Sequence, residues 1–184
     1  NNFVGNLFAS NSGIINNPSV RGINVLADGN VYIYYNTVSL NASSSSANFS
    51  SAALFTQSGP RVHLQNNILS NTSTAGASGK TVAFWNLNSL ANYNALSNYN
   101  DFYAGTPSAS NLIYFDGTNS DQTIVAYKTR VTPKDNASIS ELPAFISTTG
   151  SDVNFLHLST AANCAFASLG RNTGLSINIT DDFD

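Results

Sequence analysis

The chain has 184 residues, 42% of them apolar and only 9% charged, with a formal net charge of −3. An average domain carries ~25% charged residues, so amides and hydroxyls supply the polarity here, and Asn alone occupies 27 positions. Seven Lys plus Arg, spread singly, give no basic stripe and argue against a nucleic-acid partner. Cys164 is the only cysteine, so no intrachain disulfide can form, and a small buried residue is its expected role. No apolar run approaches the ~20 residues of a membrane span, so membrane insertion is not expected. The chain opens inside a repeat, which reads as a fragment or processed product of a longer protein.

A phrase of Asn, any residue and a large apolar residue recurs along the chain. It is read as Asn6-Leu7-Phe8, Asn36-Thr37-Val38, Asn66-Asn67-Ile68 and Asn100-Asp101-Phe102, at steps of 30, 30 and 34 residues. A second track, Val25-Leu26, Leu54-Phe55, Phe84-Trp85 and Tyr114-Phe115, steps by 29, 30 and 30. Two tracks that advance together mean one unit stacked on copies of itself, since a unit this short cannot bury its own apolar face. Trp85, on the second track beside Leu26, Phe55 and Phe115, is expected in a core or stacking role.

Within each unit the apolar period is 2. Val31, Ile33, Val38 and Leu40 alternate with Tyr32, Tyr34, Thr37 and Ser39, and Val62 and Leu64 alternate with Arg61 and His63. These are strands with one buried face. Connections such as Asn41–Ser46 and Ser73–Gly79 have turn-forming composition. No amphipathic stretch of ten or more residues intervenes before residue 120. Short strands at a ~30-residue period predict an all-β fold, a right-handed single-stranded parallel β-helix (solenoid) of about 30 residues per coil, with sheets stacked at ~4.8 Å. Residues 1–120 read as regular coils, and 121–184 as less regular C-terminal coils and a terminal turn of the same domain. Ile124–Lys128 reads as a short helix or an irregular edge. Asn6, Asn36, Asn66 and Asn100 are expected as structural ladder residues, each amide bonding to the coils above and below while tolerating the left-handed bend between strands.

Six phrases in order resemble a known type: Val31–Asn41 (VYIYYNTVSLN), Leu64–Asn71 (LQNNILSN), Ser97–Tyr103 (SNYNDFY), Ser138–Ser147 (SISELPAFIS), Phe155–Leu158 (FLHL) and Thr180–Asp184 (TDDFD). Together they resemble the right-handed parallel β-helix repeat region of large secreted or cell-surface proteins of Bacteroidetes-type bacteria. The resemblance covers essentially the whole chain. It implies secretion or display at the cell surface. In that family the acidic ending is usually followed by Gly and Arg, further β domains and a C-terminal sorting domain, none of which is in this sequence. No common catalytic motif carries over.

Three chemistries compete for the site. Glycoside hydrolysis needs two or three carboxylates within several ångströms, and a lyase needs a base with Ca²⁺ or Arg beside a uronate. No acidic residue lies between Asp28 and Asp101, and Asp101, Asp116 and Asp121 sit in turn-like contexts. No catalytic residue is therefore assigned. A pectate-lyase-like lyase or hydrolase remains the alternative, to be favoured if those three converge in one groove with Lys80 or Lys128. A glycan contact would use exposed rings beside amides and hydroxyls, with Tyr32, Tyr34, Tyr99 and Tyr103 as candidates, so the expected partner is polysaccharide or other cell-surface material. A metal reading gives Asp181, Asp182 and Asp184 as oxygen ligands for Ca²⁺, and no other cofactor is expected. His63 and His157 are expected as hydrogen-bonded surface or edge residues. A structural or adhesive segment is the function expected first.

Overall fold

A computed structural model of the protein describes residues 2–9, 13–26 and 28–159. Three parallel sheets wrap one core and stack into a β-solenoid of about 4 turns. The first sheet is β1 (Asn2–Gly5), β4 (Asn36–Leu40), β7 (Ile68–Asn71) and β9 (Asp101–Tyr103). The second is β2 (Val20–Val25), β5 (Ser51–Thr56), β8 (Thr81–Asn86) and β10 (Asn111–Phe115), closed by an antiparallel β11 (Ser120–Asp121). The third is β3 (Asn30–Tyr34) and β6 (Arg61–Gln65), continued by bridges from Val62 to Tyr93 and from Gln65 to Asn98.

The pairings fix the register. In the first sheet Val4, Val38, Leu69 and Phe102 stand in one inward column, and in the second Ile23, Leu54, Phe84 and Tyr114 do the same. Val38, Leu69, Phe102, Leu54, Phe84 and Tyr114 are all buried and belong to one continuous core. The repeating phrase is thus Asn2-Phe3-Val4, Asn36-Thr37-Val38, Asn67-Ile68-Leu69 and Asn100-Asp101-Phe102, at steps of 34, 31 and 33. This corrects the reading through Asn6-Leu7-Phe8 and Asn66-Asn67-Ile68. Phe8 is 90% exposed, and Ile68 pairs with Thr37 and Asp101 on the opposite side of the strand from the core column. Leu26 likewise lies outside the second track, exposed beyond the end of β2, and Asn24 pairs with Phe55 instead. Phe55, Trp85 and Phe115 do align, buried in a second apolar cluster with edge-to-face centroid distances of 6.2 and 4.9 Å.

The amide ladder runs through this register. The Asn36 N–H and Nδ2 both donate to Asn67 Oδ1 at 3.0 Å, and the Asn67 N–H and Nδ2 donate to Asn100 Oδ1 at 3.0 and 2.9 Å. Asn2 Nδ2 donates to Asn36 Oδ1 at 2.9 Å. Asn66 is therefore one residue out of phase. It occupies the left-handed corner with φ 55°, stacked between Tyr35 at φ 56° and Tyr99 at φ 61°, one position before each rung. Asn6 is also left-handed but exposed, and takes no place between rungs. An Asn relieves the strain of such a corner because its short polar side chain bonds locally.

The C-terminal part caps and then covers the stack. Helix α1 (Ile124–Val131) starts at Thr123, whose side chain accepts from the Ala126 N–H, and buries Tyr127 and Val131 against the last coil. Residues 135–139 add part of a coil: the Ile139 N–H donates to the Asn100 carbonyl and the Phe102 N–H to that of Ile139. There the ladder ends on a carboxylate. Asp135, fully buried, accepts from Asn100 Nδ2 at 3.0 Å, Ser138 Oγ at 2.6 Å, Tyr127 O–H at 2.6 Å and the Tyr93 hydroxyl. Burial pushes this carboxyl upward, and the four donors oppose that shift. Beyond it the described residues add no further coil. It returns toward the first coil along the outside of the first sheet.

Candidate functional site

The returning segment, residues 142–159, forms a strap. Its Phe155 sits against Gly5, where a Cβ would come within 2.9 Å of the ring, and His157 meets Phe3 edge-on at 5.7 Å between centroids. The strap is pinned to itself, with Phe145 bridging Leu158 and Ser147 bridging Phe155.

Period-2 geometry explains what the strap covers. Phe3, Thr37, Ile68 and Asp101 form one outward column, and Gly5, Ser39, Ser70 and Tyr103 the next. Asn41 and Thr72 follow at the corner. Thr37, Ile68 and Asp101 are 8, 3 and 0% exposed although they point away from the core, because they lie at the covered side of the sheet. Ser39 is half-buried, and Asn41 and Thr72 are exposed. The space between strap and sheet therefore opens along the corner.

That opening is a cavity of about 310 Å³. Its floor is Ser39, Asn41, Ser70 and Thr72; Leu142–Phe145 and Thr148 make one wall, and Asn6, Leu7 and Phe8 the other. No lining residue is charged. The Thr72 hydroxyl donates to the Leu40 carbonyl at 3.0 Å. Among the described residues, no partner engages the Ser39 or Ser70 hydroxyl or the Asn41 amide. Phe8 and Leu142, 90 and 62% exposed, stand on opposite rims.

The four tyrosines named from sequence do not form one platform. Tyr32 and Tyr34 lie on the third sheet, beside His63. Tyr32 is half-exposed, whereas Tyr34 is buried, its hydroxyl 2.7 Å from His63 Nδ1. His63 is itself buried, not at the surface, and desolvation lowers its pKa while the Leu96 carbonyl acts the other way. Tyr99 occupies the left-handed corner and Tyr103 the first sheet beside Ser70. Trp85 is fully buried and presents nothing to a ligand.

The three carboxylates do not share one groove: Asp116 and Asp121 lie near the same Arg130, and Asp101 stands apart from them on the first sheet. Asp121 is held by Arg130 through two bonds of 2.5 and 2.9 Å, and Asp116 accepts from Thr118 and Asn119 in its own turn. Those donors hold the Asp116 carboxyl below its usual range against the opposing effect of burial. Asp101 is on a different face, its Oδ1 accepting from the Glu141 N–H at 3.0 Å and its Oδ2 buried without a partner. Burial pushes its pKa up to about 8. Lys80 lies over the Phe115 ring, and among the described residues neither Lys80 nor Lys128 pairs with any of the three carboxylates. Among the described residues no group of three or more His, Cys, Asp or Glu is placed to hold a metal. Asp181, Asp182, Asp184 and Cys164 lie outside the described residues. No family model, curated protein or solved structure matches the chain.

Sequence reasoning missed the floor of the cavity. Its signal was present in the matched phrases Val38-Ser39-Leu40-Asn41 and Leu69-Ser70-Asn71-Thr72, which put polar side chains at the same outward positions of adjacent coils. The strap had no comparable signature.

Proposed function

We propose that the chain is a structural and adhesive segment of a secreted or cell-surface bacterial protein, a stiff β-solenoid that presents one outer face to glycan. The observation that carries this reading is the unbroken side-chain ladder from Asn36 through Asn67 and Asn100 to Asp135, running beside three parallel sheets. A stack tied at every coil transmits force along its axis, because no single coil can leave without breaking buried hydrogen bonds. The low charge and amide-rich composition, with the resemblance of the six phrases, support an extracellular setting. Polysaccharide cleavage is the competing class, and the separation of Asp101 from Asp116 and Asp121 weighs against it.

The test pairs binding with turnover. The purified chain, presented to immobilised polysaccharides and to the same polymers in solution, is expected to bind without releasing reducing ends or unsaturated uronates. Specific product release would overturn the adhesive reading in favour of an enzyme.

A further inference from the structure

We propose that the cavity between the strap and the first sheet is a binding site for an uncharged saccharide. This rests on the glycan-facing reading above and names its place and ligand class. The floor is a grid of four polar side chains, with Ser39 and Asn41 on one coil and Ser70 and Thr72 on the next. Neighbouring strands are about 4.8 Å apart and alternate residues about 6.6 Å apart. Hydroxyl and amide groups on such a rectangle meet hydroxyls around the edge of one pyranose ring. The half-buried Ser39 hydroxyl and the exposed Asn41 amide are open to such a ligand, since no described protein group uses them, and the Ser70 hydroxyl, also without a described partner, lies deeper in the floor at 2% exposure.

The rims supply the other half of the recognition. Phe8 offers an almost fully exposed ring at one wall, and Leu142 an exposed aliphatic surface on the other. A sugar has an apolar face of C–H groups and a polar edge. It therefore stacks on the ring while its edge bonds the floor. With no charge in the lining, a uronate or sulfate would lose its hydration and gain no counter-charge, so the site selects neutral sugars. The strap contributes a whole wall, which places the site where the chain folds back on its own solenoid. The Tyr32 ring, on the third sheet, belongs to a different face.

The experiment titrates the isotope-labelled 184-residue chain with neutral gluco-, manno-, xylo- and galacto-oligosaccharides and with oligogalacturonate, following backbone amide shifts. At least one neutral oligosaccharide is expected to shift Ser39, Asn41, Ser70 and Thr72, with affinity unchanged across about a ten-fold range of salt. Phe8→Ala is expected to weaken it about five-fold without unfolding the chain, since the ring is exposed. Tyr32→Ala should leave the affinity unaltered. Binding that maps to the third sheet and falls with Tyr32→Ala would overturn this site while leaving a glycan-facing solenoid intact. Preference for oligogalacturonate with steep salt dependence would overturn the neutral selectivity. Silence toward every sugar would remove both the site and the glycan contact, with the solenoid itself unaffected.

Discussion

Replacing Asn67 by Ala removes the middle rung of the ladder without touching the apolar core. The Asn67 side chain accepts from the Asn36 N–H and Nδ2 and donates to the Ile33 carbonyl at 2.8 Å and to Asn100 Oδ1. Two of those partners keep another bond: Asn36 Nδ2 still reaches the Tyr34 carbonyl, and Asn100 Oδ1 still accepts the Asn67 N–H. The Asn36 N–H loses its acceptor and the Ile33 carbonyl its side-chain donor, inside a fully buried site. A buried polar group stripped of its partner costs about 1–3 kcal/mol, so Asn67→Ala should cost about 4 kcal/mol, a large fraction of the roughly 5–15 kcal/mol that holds a domain folded. Asn66→Gly is the matched control. That position is left-handed, where Gly is tolerated, and the change is expected to cost under about 1 kcal/mol. Equilibrium urea denaturation of the two variants measures both. A loss below about 1 kcal/mol for Asn67→Ala, or a larger loss for Asn66→Gly, would refute the argument that position 67 carries the rung.

Asp101→Asn should abolish a pH dependence. With its carboxyl at about 8 when folded and 3.8 otherwise, the folded state holds the proton more tightly, so stability is highest below the lower value and declines as pH rises toward the upper. Urea titrations of wild type should lose up to about 2.7 kcal/mol relative to the variant between about pH 5 and 7, and parallel curves would contradict the burial of that proton. Gly5→Ala drives a methyl into Phe155 and the Ser39 carbonyl; a cost of about 1–2 kcal/mol and faster proteolysis within residues 142–158 are expected. Tyr99→Asn relieves a left-handed corner and should raise stability by about 0.5–1 kcal/mol in thermal denaturation.

The solenoid was legible because two independent apolar tracks shared a period and the strands alternated at period 2. The register was not. Asn occurs twice in Asn66-Asn67 and at both Asn2 and Asn6, so a near-constant step could be drawn through the wrong members, whereas corner loops let coils differ by several residues. Alternation correctly sent Tyr32 and Tyr34 outward, but only the third dimension reveals that His63 buries one of them and that Tyr103 belongs to another sheet. The strap was opaque for a related reason. Ser138–Ser147 reads like one more coil, and nothing periodic marks a chain reversing over its own outer face. One clue stood in the sequence: with the register corrected, Phe3 and Ile68 point outward, and an outward apolar column calls for a cover.

The coils stack with Leu69 between Val38 and Phe102. Nuclear Overhauser contacts on a methyl-labelled sample test this stacking directly. Contacts are expected from the Leu69 methyls to those of Val38 and to the Phe102 ring, with Ile68 methyls silent to both. Strong contacts from Ile68 to Val38 with none from Leu69 would mean that the coils are in a different register and that the ladder described here does not exist.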